Sequence, residues 1–282
     1  MSVAFADGFA PLSLGDGAAA PHVDAAPSGA GAEAMLLIHG FMMSRAIWTD
    51  NLGALSAGRR RLVSLELLGH GRSPAPSDDA AYRAERYIEW FETTRQRLGI
   101  ARWVVCGHSL GAALALNYAL AHPDAVSAVI ATNSLSAFGS VAESPAADQI
   151  DGLAASLKTR GAAALADLPF HPKHIRNVSA ATRDALLRDS ARLDPDAIEQ
   201  AMRVTAPALG VPSRLAALRP PALLVNGLRE RAFQPARARA ERLSPQLEIV
   251  DIACGHSVNA EAPGAFHAAV DAFLERHLET TP

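Results

Sequence analysis

Cysteine is scarce in this chain. The two that occur in 282 residues, Cys106 and Cys254, are too few for a disulfide framework. Aromatic side chains make up only 5% of the sequence, and 26 Lys and Arg are set against 29 Asp and Glu for a formal net charge of −3. With no basic block and few rings for stacking, nucleic acid is not expected as the main partner. No run of about eighteen uninterrupted apolar residues occurs, so no membrane-spanning helix is expected. The opening Met1-Ser2-Val3-Ala4-Phe5-Ala6-Asp7 has neither a positive n-region nor a continuous apolar h-region. No secretory leader is expected there, and the cytoplasm is the expected location.

What is present suits a packed interior: 49% of the residues are hydrophobic and 20% charged, ordinary for a globular domain. Residues 1–34 are rich in Ala, Gly, Pro and Asp. They supply one or two edge strands of a hairpin, with Pro27 to Gly31 as a loop. A regular pattern follows. Short apolar runs at Met35 to Ile38, Arg61 to Leu65, Trp103 to Cys106, Ala125 to Ala131, Ala222 to Val225 and Leu247 to Val250 read as strands. Helical segments lie between and after them at Ile47 to Leu55, Ala81 to Leu98, Ser109 to Ala121, Pro235 to Leu243 and Ala262 to His277. This alternation predicts an α/β fold, a mostly parallel central sheet with helices on both faces.

One interval breaks the rhythm. Residues 136–218 contain helix-like pieces and no convincing strand; Ser179 and the Asp194-Pro195 pair mark two helix starts. About eighty residues are too many for a loop. The expected organisation is a core of residues 1–135 and 219–282 carrying a helical cap of residues 136–218, set over the carboxyl ends of the strands where open α/β sheets bind ligands.

The motif with the most chemical content is Gly107-His108-Ser109-Leu110-Gly111. A Gly-x-Ser-x-Gly between a strand and a helix is a sharp turn that lifts a serine hydroxyl to the rim of a sheet. A hydroxyl is a poor nucleophile until a base takes its proton. Of ten histidines, His256 lies between the last strand and the last helix, at the same rim. His122, His267 and His277 fall in or at the ends of helices and are expected on the surface, and the His108 ring is expected to point away from the site. The base needs a carboxylate to fix its tautomer. Glu230 is the only acid on the loop after Ala222 to Val225; Asn133 is uncharged, and Asp251 lies within the strand leading to His256. Acyl chemistry also needs N–H donors for an oxyanion. The backbone of Leu110 offers one and that of Phe41, in His39-Gly40-Phe41, another; His39 is expected to buttress that loop by hydrogen bonding.

Taken in order, His39-Gly40-Phe41, Gly69-His70-Gly71-Arg72-Ser73, Gly107-His108-Ser109-Leu110-Gly111, the Gly227 to Glu230 loop and Gly255-His256 resemble the α/β-hydrolase superfamily. The likeness covers about residues 35–135 and 213–280 and is strongest to its compact, capped branch of esterases, lactonases, proline iminopeptidases, meta-cleavage C–C hydrolases and cofactor-free haloperoxidase-like enzymes. The resemblance implies Ser109 as nucleophile, His256 as base, and Phe41 and Leu110 as oxyanion donors. Two positions depart from the family pattern. Glu66 stands where members usually carry aspartate before the Gly-x-Gly-x-Ser loop, and Glu230 where most capped members use aspartate. Dehalogenases and epoxide hydrolases of this fold put aspartate at the elbow, so serine argues against them. The menaquinone-pathway synthase is a further relative, but such enzymes usually carry an arginine soon after the elbow, where this chain has Ala112 and Ala113.

The implied reaction is cleavage of an ester, lactone or thioester of a small-to-medium apolar acyl group through a Ser-His-Glu triad. C–C hydrolysis, a lyase reaction, or ligand binding without turnover are the alternatives. No cofactor or metal is expected: His171-x-x-His174 lacks partners at zinc spacing. The partner is a small-molecule substrate, and oligomeric state is left open. Leu135, Phe138, Leu165, Phe170 and Ile175 are candidate pocket residues. The basic cluster His171, Lys173, His174 and Arg176 is expected to be a solvated face.

Overall fold

In a computed structural model, residues 9–14, 20–27, 33–56, 60–140 and 147–278 are described; for residues 147–150 this extends to the backbone only. The Met1 to Asp7 stretch and most of the Pro27 to Gly31 loop lie outside them. Eight strands form one sheet: β1 (Ala10–Leu12), β2 (Val23–Ala25), β3 (Ala34–Ile38), β4 (Arg61–Leu65), β5 (Trp103–Gly107), β6 (Val126–Thr132), β7 (Ala222–Gly227) and β8 (Leu247–Ile252). Their order across the sheet is β1-β2-β4-β3-β5-β6-β7-β8. The hairpin strand β2 joins β4 antiparallel, and every pairing from β4 to β8 is parallel.

Alternation along each strand divides the core between the two faces. On β3, Leu36 and Ile38 enter one hydrophobic cluster while Met35 and Leu37 enter the other; on β5, Val105 and Val104 divide in the same way. Tyr87 and Phe91 of helix Ala84–Arg97, together with helix Leu110–Ala121, cover the first face. Trp48, Leu52 and the Phe266, Val270 and Phe273 stripe of helix Pro263–His277 cover the second. Helix Leu110–Ala121 is buried almost all round, because its alanines let it lie close against the sheet.

Two helices differ from the sequence pattern. Ile47 to Leu55 is a 3₁₀ segment Arg45–Asn51 running into Leu52–Ser56, started by Ser44 Oγ accepting from the Ala46 N–H. Ala81 to Leu98 breaks at Arg83, whose extended backbone separates a 3₁₀ turn Asp79–Tyr82 from helix Ala84–Arg97. Between β6 and β7 the described residues form helices and turns and no strand. Helices Ala147–Arg160, Ala180–Ser190 and Pro195–Gln200 are among them. Ser179 caps the second by accepting from the Thr182 N–H, and Asp194 the third by accepting from the Ala197 N–H. Leu157, Leu165, Leu193 and Ile198 give this segment its own small core, closed against Met42 of the β3 loop.

Candidate active site

The sheet order reverses direction at β3, with β4 on one side and β5 on the other. The loops leaving β3 and β5 therefore part to opposite faces and open a crevice at the strands' carboxyl ends. Ser109 stands there at φ 54°, ψ −114°, a left-handed backbone that costs about 1–3 kcal/mol for a side-chain-bearing residue. Its neighbours explain how the turn fits. A Cβ on Gly107 would lie 2.2 Å from the Gly111 carbonyl oxygen, and one on Gly111 would lie 2.3 Å from the Ile38 carbonyl oxygen. Strand, helix and adjoining strand touch through bare backbone.

The later strand ends bring two more predicted residues to this rim. Glu230 follows β7 and His256 follows β8. The His256 Nδ1–H donates to Glu230 Oε2 at 2.8 Å. Burial alone would raise the Glu230 pKa, but the His256 contact and a hydrogen bond from Asn133 outweigh it and hold the carboxyl below its ordinary value. Ser109, His256 and Glu230 all line one cavity of about 420 Å³, within the roughly 300–1,000 Å³ usual for small-molecule sites. No direct hydrogen bond joins the Ser109 hydroxyl to His256, a separation common before substrate binds.

Two supports of this arrangement are absent from the sequence reading. At the end of β6, the Asn133 side chain donates to Glu230 Oε2 at 2.6 Å and accepts from the Gly227 N–H at 2.8 Å. It clamps the acid's loop from the neighbouring strand. Glu261, at the end of the short helix Val258–Glu261, reaches back to accept from the Gly255 N–H at 2.8 Å and the Ser257 N–H at 3.1 Å. His256 is thus held through the N–H groups of both neighbouring residues. Asn133 had a visible signal, its place at a strand end. Glu261 had none beyond its nearness in sequence.

The loop after β3 is tied down by buried histidines. His39 Nδ1–H donates to the Gly40 carbonyl at 2.8 Å while its Nε2 accepts from the Leu67 N–H at 3.0 Å, so it buttresses the loop as expected. His70 does the same from the next loop, accepting from the Met42 N–H at 3.0 Å. Burial pushes their pKa values down to about 4 and about 3, so both rings are neutral and can accept. The Met42, Met43 and Gly111 N–H groups all have acceptors. Among the described residues the Phe41 and Leu110 N–H groups have none. Glu66 accepts from the Arg72 backbone and guanidinium and keeps to a structural role.

Some expectations are corrected here. The His108 ring does not point away: it lies edge-on to His256 at 5.1 Å and lines the cavity, held by Thr132 Oγ1 at 3.1 Å. The tight elbow turns residue 108 toward the rim together with residue 109. His267 is half-buried against Asn51 rather than a surface residue. Phe170 and Ile175 line the cavity, but Leu135, Phe138 and Leu165 do not. Phe138 packs against Phe233 beneath the rim, Leu135 rests on the same core face, and Leu165 belongs to the interposed core. Lys173, His174 and Arg176 are exposed, as expected of the basic cluster, and His171, His174 and Arg176 also line the cavity. Cys254 is buried outside the cavity lining.

Residues 33–263 match the alpha/beta hydrolase fold family model, and the chain belongs to that family. A human (lyso)-N-acylphosphatidylethanolamine lipase is 37% identical over 98 residues, 34% of this chain and 28% of its own length. The chain therefore spans little more than a quarter of that relative. A Bacillus subtilis protein, provisionally assigned as 2-succinyl-6-hydroxy-2,4-cyclohexadiene-1-carboxylate synthase, is 28% identical over 276 residues, covering 93% of this chain and 97% of its own. Among solved structures, the enol-lactonase of Burkholderia xenovorans LB400 superposes with a TM-score of 0.76 at 22% identity, covering 90% of this chain and 97% of its own. Likeness at that identity is a statement about fold.

Proposed function

We propose that the protein is a serine hydrolase that cleaves an ester, lactone or thioester through an acyl-enzyme on Ser109. The observation carrying this reading is that a strained Ser109 shares a cavity with a histidine whose Nδ1 is already bonded to a carboxylate. With Nδ1–H committed to Glu230, the neutral His256 ring keeps its Nε2 lone pair free, the tautomer a general base requires. Nε2 takes the Ser109 proton as Oγ attacks the carbonyl. Glu230 stabilises the resulting imidazolium, and the Phe41 and Leu110 N–H groups receive the oxyanion, each worth about 3–4 kcal/mol of barrier. His256 then returns the proton to the leaving alcohol or thiol. Water, deprotonated by the same nitrogen, releases the acid. In this reading residues 136–218 act as a cap over the 1–135 and 219–282 core.

A second reading is favoured by the full-length similarity to the Bacillus subtilis protein: a lyase reaction run by the same serine and histidine. Ala112 and Ala113, fully buried in the core, offer no arginine beside the elbow, and this favours the hydrolase.

Fluorophosphonate labelling together with turnover of short p-nitrophenyl esters tests the proposal. Both are expected in the wild-type protein and absent in Ser109→Ala. Glu230→Gln is expected to lose about 10²- to 10⁴-fold in kcat, as when a triad acid can no longer hold the imidazolium. Folded wild-type protein that neither labels nor turns over any ester would refute the hydrolase.

A further inference from the structure

The segment from Pro169 to Arg176 supplies part of the cavity lining, and the mechanism above leaves its chemistry unused. It carries four basic side chains, His171, Lys173, His174 and Arg176, which the fold divides. His171, His174 and Arg176 line the cavity, whereas Lys173 turns to Asp167, 3.7 Å away, in an ion pair. The cause is the 3₁₀ turn Pro172–His174. With about three residues per turn, positions 171 and 174 fall on one side and 173 on another.

Neither of the cavity's carboxylates pairs with Arg176. Both are engaged: Glu230 by His256 and Asn133, Glu261 by the Gly255 and Ser257 N–H groups. Among the described residues, neither His174 nor Arg176 has an ion-pair partner. The His171 Nδ1 accepts from the Lys173 N–H at 3.1 Å. Burial, with Lys173 and His174 nearby, pushes its pKa down, so the neutral ring carries its proton on Nε2 as a donor. Among the described residues no third His, Cys, Asp or Glu joins this pair in a group that could hold a metal ion. A guanidinium and hydrogen-bonding imidazoles, beside the apolar Phe41, Phe170 and Ile175, suit a planar anion at the end of a short apolar chain.

Resting on the hydrolase reading, we infer that Arg176, His174 and His171 form a carboxylate-recognition wall. The acyl substrate of Ser109 then carries a free carboxylate beyond the scissile bond, with its chain between Phe41, Phe170 and Ile175. The preferred substrates are half-esters or lactones derived from dicarboxylic acids.

The test compares p-nitrophenyl monoesters of succinic, glutaric and adipic acids with the same esters capped as methyl esters. The wild type is expected to favour at least one acidic ester by roughly tenfold in kcat/KM, mainly through KM, since hydrogen bonds between charged groups contribute at that level. Arg176→Glu is expected to abolish or reverse that ratio, Arg176→Lys to keep part of it, and added salt to narrow it. Arg176 is exposed, and circular dichroism checks that each variant folds. A wild type that labels at Ser109 and hydrolyses the neutral esters, yet has no acidic preference or keeps it in Arg176→Glu, overturns the inference while leaving the hydrolase intact. If no ester is turned over, the hydrolase reading fails. Calorimetric binding of glutarate and adipate to the intact protein then decides the wall alone: binding lost in Arg176→Glu supports it, and no binding overturns it.

Discussion

Asn133 and Glu230, 97 residues apart, meet at 2.6 Å, and the Glu230 oxygen they share also receives the His256 Nδ1–H. One carboxylate oxygen therefore serves two donors from two different strand ends. The amide keeps Glu230 ionised and aimed, so that the histidine does not have to hold it alone.

Asn133→Asp should turn that support into repulsion. A second carboxylate beside Glu230 disfavours ionisation of the pair, so the acid limb of the kcat/KM profile should move to higher pH. Activity at neutral pH should fall by about tenfold or more. A pH–rate profile of the two proteins checks this, and an unmoved acid limb would mean that Asn133 does not act on Glu230.

The double grip of Glu261 on the peptides around His256 leads to a different expectation. Glu261→Gln presents an amide in place of one acceptor oxygen to two N–H donors, so one of the bonds must be lost. The His256 loop loosens while the cavity keeps its other walls. We expect kcat to fall by about tenfold with a smaller change in KM. Steady-state kinetics checks this, and wild-type kcat in a folded variant would remove Glu261 from the positioning machinery.

Three buried histidines are expected to contribute to the acid sensitivity of the fold. His39, His70 and His108 all have pKa values pushed below the ordinary 6.5 by burial, the first two to about 4 and about 3. The unfolded chain therefore takes up protons first as pH falls. Stability from these groups is complete above about pH 6.5 and declines as pH drops toward the folded values, by about 1.4 kcal/mol per pH unit for each proton. Urea midpoints at about pH 7 and pH 5, above most carboxylate titration, should differ clearly. Coincident midpoints would contradict the neutral, buried state of these rings.

The strand and helix alternation, the elbow at Ser109 and the residues His256 and Glu230 are legible because each leaves a local mark: a short apolar run, a glycine pair, a polar residue just after a strand. Contacts made across the sheet leave no such mark. The place of β4 and β5 on either side of β3 is a matter of long-range pairing. Asn133 reads as an uncharged strand end until Glu230 arrives from 97 residues away. The basic cluster at His171 to Arg176 reads as a solvated face, and Lys173, His174 and Arg176 are exposed, but charge pattern alone does not reveal that His171, His174 and Arg176 also line the cavity. Leu135 and Phe138 carry the hydrophobicity of pocket residues and of core residues equally, and packing against Phe233 made Phe138 core.

The Phe41 ring meets Phe170 edge-on at 6.0 Å, while the backbone N–H of Phe41 has no acceptor among the described residues. Phe170 belongs to the helical segment between β6 and β7, and half of its surface is exposed. On the hydrolase reading, a displacement of that segment therefore reaches a proposed oxyanion donor through the Phe41–Phe170 contact. If that reading holds, remodelling this wall to admit a bulkier substrate should cost turnover as well as selectivity, because both would then depend on one phenylalanine.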